Sequence, residues 1–299
     1  KYGGRQMGEK VQGRLLIIGG AEDRQGECRI LGEFVALAGG PEARLVVIAA
    51  ASREGPALGR EYSLLFRELG ARAVDTIYVE SRQEANVARL VKVLARASGV
   101  FFTGGDQLRL TSLLGGTLVE RGVRKAYEGG AIIAGTSAGA SAMSDTMIVE
   151  GPSDDPPQRC TLKMAPGFRL LREVVVDQHF AQRGRLGRLL SVVAQNPYIL
   201  GLGIDEDTAV VVEPRGWFRV IGSCTVTVID GRSIQLSNVS ETAPDAPLAL
   251  TQVTMHVLPQ GYGFDLRRRL PLPPEEVAAL SPSGAQEVRK DAGGDSGEG

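Results

Sequence analysis

Up to Ala140 the chain alternates between short, mostly apolar runs and longer segments in which apolar residues recur at helical spacing. The runs are residues 14–20, 45–51, 74–79, 100–102 and 131–134. Between them, Ile30, Leu31, Phe34, Val35 and Leu37, and later Leu58, Tyr62, Leu65, Phe66 and Leu69, fall on one face of a helix. Further helices are expected over 87–97, 108–114 and 118–127. Strands with little polar alternation are buried on both faces, so this order predicts an α/β fold with a mostly parallel sheet flanked by helices. Ligands in such folds sit beyond the C-terminal ends of the strands. Glycine turns fall at three of those ends: Gly19-Gly20, Gly104-Gly105 and Gly135-Thr136-Ser137-Ala138-Gly139.

The third turn carries chemistry. Gly-x-Ser-x-Gly between a buried strand and a small-residue helix start places a serine at the apex of a strained turn, a nucleophile elbow. The Ala138 N–H then points to where an oxyanion would form, and the Gly104-Gly105 turn is expected to supply a second donor from Gly105. The same residues also suit an ordinary strand-to-helix turn, so a partner base has to decide. The chain has two histidines. His256 lies inside an alternating pattern, Val253-Thr254-Met255-His256-Val257-Leu258, and reads as a strand histidine. His179 directly follows a short apolar run and is the better base for Ser137. Glu206, at the end of another apolar run, is the expected orienting acid, with Asp205 and Asp177 as alternatives that spacing alone does not separate.

Past Ser144, strands are expected over 145–150, 174–176, 199–204, 209–212, 217–221, 225–229 and 253–258, with one helix over 186–194 and a Pro- and Asp-rich loop over 151–157. This gives a single hydrolytic domain over 13–280 with a β-rich C-terminal part. Residues 1–12 read as a flexible leader, and the Gly-, Ser-, Asp- and Glu-rich residues 281–299 as a disordered tail.

Composition removes several alternatives. A net charge of -1 argues against a protein that coats nucleic acid. No apolar run is long enough to span a bilayer, and residues 1–10 lack the apolar core of a signal peptide. Cys28, Cys160 and Cys224 are few and far apart, which suits reduced thiols in a cytoplasmic protein. Neither they nor the histidines show metal-site spacing, no P-loop is present, and Gly19-Gly20-Ala21-Glu22-Asp23 puts acids where a pyrophosphate would sit, so no metal or cofactor is expected. Arg183, Arg185 and Arg188 follow His179, and no acid lies between Asp177 and Asp205. An unbalanced guanidinium cluster beside a nucleophile points to an anionic substrate.

Several blocks in fixed order resemble a known family. They are Ile18-Gly19-Gly20-Ala21-Glu22-Asp23, Phe102-Thr103-Gly104-Gly105-Asp106-Gln107, Gly135-Thr136-Ser137-Ala138-Gly139-Ala140, Asp177-Gln178-His179-Phe180 and Gly203-Ile204-Asp205-Glu206, followed late in the chain by Leu258-Pro259-Gln260-Gly261-Tyr262-Gly263. Together, over roughly residues 13–270, they are similar to the cyanophycinases, serine peptidases related to the aspartyl dipeptidase peptidase E. The resemblance implies a class I glutamine-amidotransferase-like fold and, as substrate, the polymer cyanophycin, cut to β-Asp-Arg dipeptides. It implies Ser137 as nucleophile, His179 as base, Glu206 as acid, and Gln107, Asp177, Gln178, Arg183, Arg185 and Arg188 lining the substrate pocket. Asp177 would meet the substrate guanidinium and the arginines its carboxylates. A homodimer is also implied. The competing readings are a peptidase E-like dipeptidase and a catalytically silent binding protein. A glutamine amidotransferase would need cysteine at the elbow, where this chain has Ser137.

Overall fold

A computed structural model describes residues 12–159 and 162–281. The expected leader and tail therefore lie, apart from Gln12 and Ser281, outside the described residues, as does Cys160. The elements run β1 (Leu15–Ile18), α1 (Arg29–Leu37), β2 (Arg44–Ile48), α2 (Gly55–Glu68), β3 (Ala73–Ile77), α3 (Ala88–Leu94), β4 (Gly99–Phe102), α4 (Gln107–Leu114), α5 (Leu118–Glu128), β5 (Ile132–Thr136) and α6 (Ala138–Ser141). They continue with β6 (Thr146–Glu150), β7 (Lys163–Pro166), β8 (Val174–Gln178), α7 (Leu186–Gln195), β9 (Leu200–Ile204), β10 (Thr208–Glu213), β11 (Trp217–Gly222), β12 (Thr225–Asp230), β13 (Thr254–Pro259), β14 (Gly263–Asp265), β15 (Leu270–Leu272) and α8 (Pro274–Leu280).

The strands form two principal sheets. In the larger, ordered β15-β14-β11-β10-β1-β5-β4-β2-β3, the five strands from β1 to β5 are parallel, and β10, β11, β14 and β15 extend one side in antiparallel fashion. The second sheet, β13-β12-β9-β8, pairs β8 and β9 in parallel. β6 and β7 form a separate hairpin. So β8 and β9, which end at the expected site residues, belong to a different sheet from the elbow strand β5.

Alternation along β1 shows why the apolar runs are unbroken. Leu16 and Ile18 join a core with α1 and α2, including Phe34 and Phe66, whereas Leu15 and Ile17 join the opposite core. That opposite core contains Leu110 of α4, Val119 and Val123 of α5, and Val176, Leu202 and Val228 of the second sheet. The second sheet thus packs one face on the larger sheet. Its other face, through Val175 and Ile229, packs on Leu189, Val192 and Val193 of α7. The two sheets meet at their strand ends, where the site lies.

The elbow is set by close packing. A β-carbon on Gly139 would lie 2.6 Å from the Phe102 carbonyl oxygen and 2.8 Å from the Phe102 Cβ, so the first turn of α6 rests directly on the end of β4. Backbone cannot yield as a flexible side chain does. Gly139→Ala is therefore expected to cost about 1–3 kcal/mol, as overpacking does. Urea denaturation measures this, and a variant as stable as the parent would show that the elbow is not held by this contact.

Candidate active site

Three consecutive carbonyls at the end of β1 assemble the site. The Ile18 carbonyl accepts the Ser137 N–H at 3.0 Å, the Gly19 carbonyl the His179 N–H at 2.8 Å, and the Gly20 carbonyl the Asp207 N–H at 2.9 Å. Three loops from different parts of the chain, following β5, β8 and β9, are pinned side by side. Gly20, at φ 101°, is packed so closely that any β-carbon there would overlap the His179 imidazole. Here the glycine is required both for its backbone conformation and for the approach of the ring.

The backbone around this junction is strained. Ser137 has φ 52° and ψ -108°, and Ala21, His179 and Asp207 have φ of 47°, 49° and 46°. Non-glycine residues in such regions cost about 1–3 kcal/mol each and persist where packing over-determines them. The strain aims the side chains at one another. Ser137 Oγ lies 3.0 Å from His179 Nε2, and His179 Nδ1 lies 2.6 Å from Glu206 Oε1. With Nδ1–H donating to the carboxylate, Nε2 is left as an acceptor for the Ser137 hydroxyl.

The neighbouring acids are engaged elsewhere. Asp205 is buried, accepting from the Ala181 N–H at 3.0 Å, the Thr225 N–H at 3.1 Å and the Thr225 hydroxyl at 2.7 Å. It braces the loop and does not reach the imidazole, whereas Glu206 does, with its own N–H donating to Gln182 Oε1 at 3.0 Å. His256 lies on β13 and packs beside Phe264, on the far side of the second sheet from α7.

The Gly104-Gly105 turn lies beside the serine: a β-carbon on Gly104 would sit 3.6 Å from the Ser137 Cβ. Asp106 fixes this turn by capping α4, accepting from the Leu108 and Arg109 N–H groups at 2.8 and 3.0 Å. Neither the Gly105 nor the Ala138 N–H donates to an acceptor among the described residues. Both amides therefore remain free to serve an oxyanion.

The expected pocket residues divide. Gln178 Oε1 lies 3.3 Å from Ser137 Oγ as an acceptor, and the Arg183 side chain is exposed with no ion pair among the described residues. Gln107 instead holds β6, its amide donating to the Ile148 carbonyl at 2.9 Å. Asp177, Arg185 and Arg188 also differ from expectation. Asp177 is only 1% exposed, accepts from Arg188 Nε at 2.6 Å and from Arg188 Nη2, and pairs with Arg185 Nη1 at 3.4 Å. The acid at the cluster's own boundary offsets one of its charges, and the Asp177 carboxylate is turned inward toward Arg185 and Arg188. One residue was missed: Glu22, buried, accepts from the Thr136 hydroxyl at 2.6 Å and from Tyr62, and so steadies the residue before Ser137. The available signal is an acid two residues after the Gly19-Gly20 turn at the end of β1. Asp23 folds back to accept from the N–H groups of Gln25, Gly26 and Cys28, which hold its carboxyl down at about 2.

Burial pulls the His179 pKa below its usual 6.5, and the positive charges of Arg183 and Arg185 push the same way, whereas Glu206 opposes them. The imidazole is thereby kept in the neutral form that accepts a proton near neutral pH. Among the described residues no group of His, Cys, Asp and Glu could hold a metal ion, and no helix is long and apolar enough to cross a membrane. A groove of about 590 Å³ bordered by Asp145, Arg169, Arg172, Val174 and Ile199 lies at the opposite ends of β8 and β9 from His179.

Residues 15–219 match peptidase family S51. A cyanophycinase of Nostoc sp. (strain PCC 7120 / SAG 25.82 / UTEX 2576) is 41% identical over 260 residues, covering 87% of each chain. A cyanophycinase of Synechococcus elongatus is 40% identical over 257 residues, covering 86% of this chain and 80% of its own. Among solved structures, a peptidase from an acI-B1 Actinobacterium superposes with a TM-score of 0.58 at 21% identity, covering 83% of this chain and 99% of its own, a likeness of fold.

The environment of His179 gives a direct expectation. Its ring should titrate below 6.5 in the folded protein. Glu206→Gln removes an opposite charge from the imidazolium, so it should lower that midpoint further. NMR of the imidazole resonances reads both, since the chain contains two histidines. A midpoint above 6.5, or one that rises in Glu206→Gln, contradicts this arrangement.

Proposed function

The chain belongs to peptidase family S51, and from that membership we propose that it is a serine exopeptidase hydrolysing the poly-aspartate backbone of cyanophycin to β-Asp-Arg dipeptides. The observation that carries the reading is the hydrogen-bonded chain Ser137–His179–Glu206, at 3.0 and 2.6 Å, on a strained elbow. The cyanophycinases similar to this chain supply the substrate.

In this mechanism His179 Nε2 takes the Ser137 proton as Oγ attacks the scissile α-peptide carbonyl carbon. Glu206 holds Nδ1–H and stabilises the imidazolium that forms. The oxyanion is met by the Gly105 and Ala138 amides. His179 then returns the proton to the leaving amine, the C–N bond breaks, and an ester to Ser137 remains. One water, deprotonated by His179, hydrolyses that ester and regenerates the serine. Arg183, exposed beside His179, is placed to pair with a carboxylate of the polymer, and Gln178 to orient the reacting carbonyl.

We also propose a cytoplasmic homodimer. Cys28 and Cys224 form no disulfide among the described residues, which suits a reducing compartment. The dimer rests on the family resemblance and is checked by sedimentation. A peptidase E-like dipeptidase is the second reading, favoured by the inward pairing of Asp177, which leaves fewer groups for a substrate arginine.

Incubation with purified cyanophycin, followed by mass spectrometry of the soluble products, tests the proposal. Release of β-Asp-Arg is expected from the wild type, with a loss of about four orders of magnitude or more in Ser137→Ala. Arg183→Ala should raise KM more than it lowers kcat. Intact polymer alongside cleavage of small Asp-X dipeptides would move the enzyme to the second reading, and undiminished turnover in Ser137→Ala would remove the serine mechanism.

A further inference from the structure

We propose that Arg188, Asp177 and Arg185 form a buried strut that positions Gln178 and His179 against Ser137, and that they are positioning residues and not substrate-binding ones. The inference rests on the serine peptidase reading of this site, and it assigns these three side chains a different task from the pocket role that the sequence resemblance implies.

Strand alternation is the first support. Val174 and Val176 face the core shared with the larger sheet, whereas Val175 faces Leu189, Val192 and Val193 of α7. Gln178 continues the first set and reaches Ser137. Asp177 continues the second and reaches Arg185 and Arg188 at the start of α7. The Asp177 carboxylate therefore lies on the face of β8 turned away from the nucleophile.

Burial is the second. Asp177, Arg185 and Arg188 are 1%, 7% and 8% exposed. Charges so thoroughly removed from water need partners, and here Arg188 donates to both carboxylate oxygens while Arg185 adds a longer contact through Nη1, its Nε having no partner among the described residues. Burial pushes the Arg185 guanidinium down to about 10, still charged at neutral pH.

The third is a link to the reacting groups. Arg185 Nη1 also donates to the Gln178 carbonyl, the peptide oxygen immediately before His179. The His179 carbonyl in turn accepts the Arg183 N–H at 3.1 Å, and the Phe180 carbonyl the Arg185 N–H at 3.1 Å, closing a tight turn between β8 and α7. The strut thus ties α7 to the peptide that carries the base, while the Gly19 carbonyl holds that peptide from the other side. Loss of the strut frees the β8 end to shift relative to the elbow, and a shift of about 1 Å costs roughly 100-fold in rate.

The test separates positioning from binding with a readout that needs no polymer. Asp177→Asn is compared with wild type for the rate of Ser137 labelling by a fluorophosphonate and for kcat and KM on cyanophycin, with circular dichroism and thermal melting as the check on folding. The strut predicts labelling and kcat slowed together by about 10- to 100-fold, with KM changed by less than about threefold. Arg185→Lys keeps the charge but loses the planar fork, and should slow labelling in the same direction. It carries the test if Asp177→Asn does not fold. A KM raised about tenfold or more with labelling unchanged would make these residues a binding site and overturn the strut, as would no effect on either. If the wild type labels but leaves cyanophycin intact, the substrate assignment falls while the labelling arm still decides on the strut.

Discussion

The amide of His179 donates to the carbonyl of Gly19, and the site depends on that bond because, with the neighbouring bond from the Asp207 amide to the Gly20 carbonyl, it ties together the strand ends of two sheets that share no ladder among the described residues. β5 delivers the serine in the larger sheet, and β8 and β9 deliver the histidine and the glutamate in the smaller one. Side-chain packing alone would bring these strand ends close without fixing them. Three successive carbonyls of residues 18–20, each accepting one amide from one of the three loops, convert proximity into register. The cost is local strain at Ser137, His179 and Asp207, which the surrounding core is large enough to hold.

Around this junction, four carboxylates are sorted by geometry and not by acidity. Asp177 is satisfied by guanidinium groups, Asp205 by a threonine and a backbone amide, and Glu22 by the hydroxyls of Thr136 and Tyr62. Each of these is fully buried, so each needs its donors. Glu206 alone reaches the imidazole, and it is also the most exposed of the set. Partial exposure spares it the full desolvation penalty while the 2.6 Å contact keeps its charge close to Nδ1.

What was legible in the sequence follows from this division. The strands β1, β2, β4 and β5 announce themselves because burial on both faces leaves them almost no polar residue, and the elbow because only small residues fit its turn. The same signal cannot report a strand's neighbours. Val174-Val175-Val176 and Leu200 to Ile204 read like members of the larger sheet, yet they pair in a second one. β7 was not legible because Lys163–Pro166 is largely exposed and carries no apolar run, and β14 and β15 are three residues each. The pairing within the arginine cluster is not legible in the sequence for a geometric reason. No acid lies between Asp177 and Asp205, but Asp177 itself, at the end of β8, comes within reach of Arg185 and Arg188 once the chain has turned.

This pairing changes what a substrate meets. Three guanidinium groups follow His179 in sequence, but two are engaged with Asp177 beneath the surface, and Arg183 remains exposed. In the proposed mechanism Arg183, which makes no ion pair among the described residues, would have two effects of opposite sign. It would attract a carboxylate of the substrate, and its charge disfavours the imidazolium, which keeps the ring neutral in the free protein but opposes the proton transfer from the serine. Once an anionic group is bound, the same arginine is partly neutralised, and the penalty on the imidazolium falls just when that ion has to form. A charge that recruits the substrate would thereby oppose the proton transfer less once the substrate is in place.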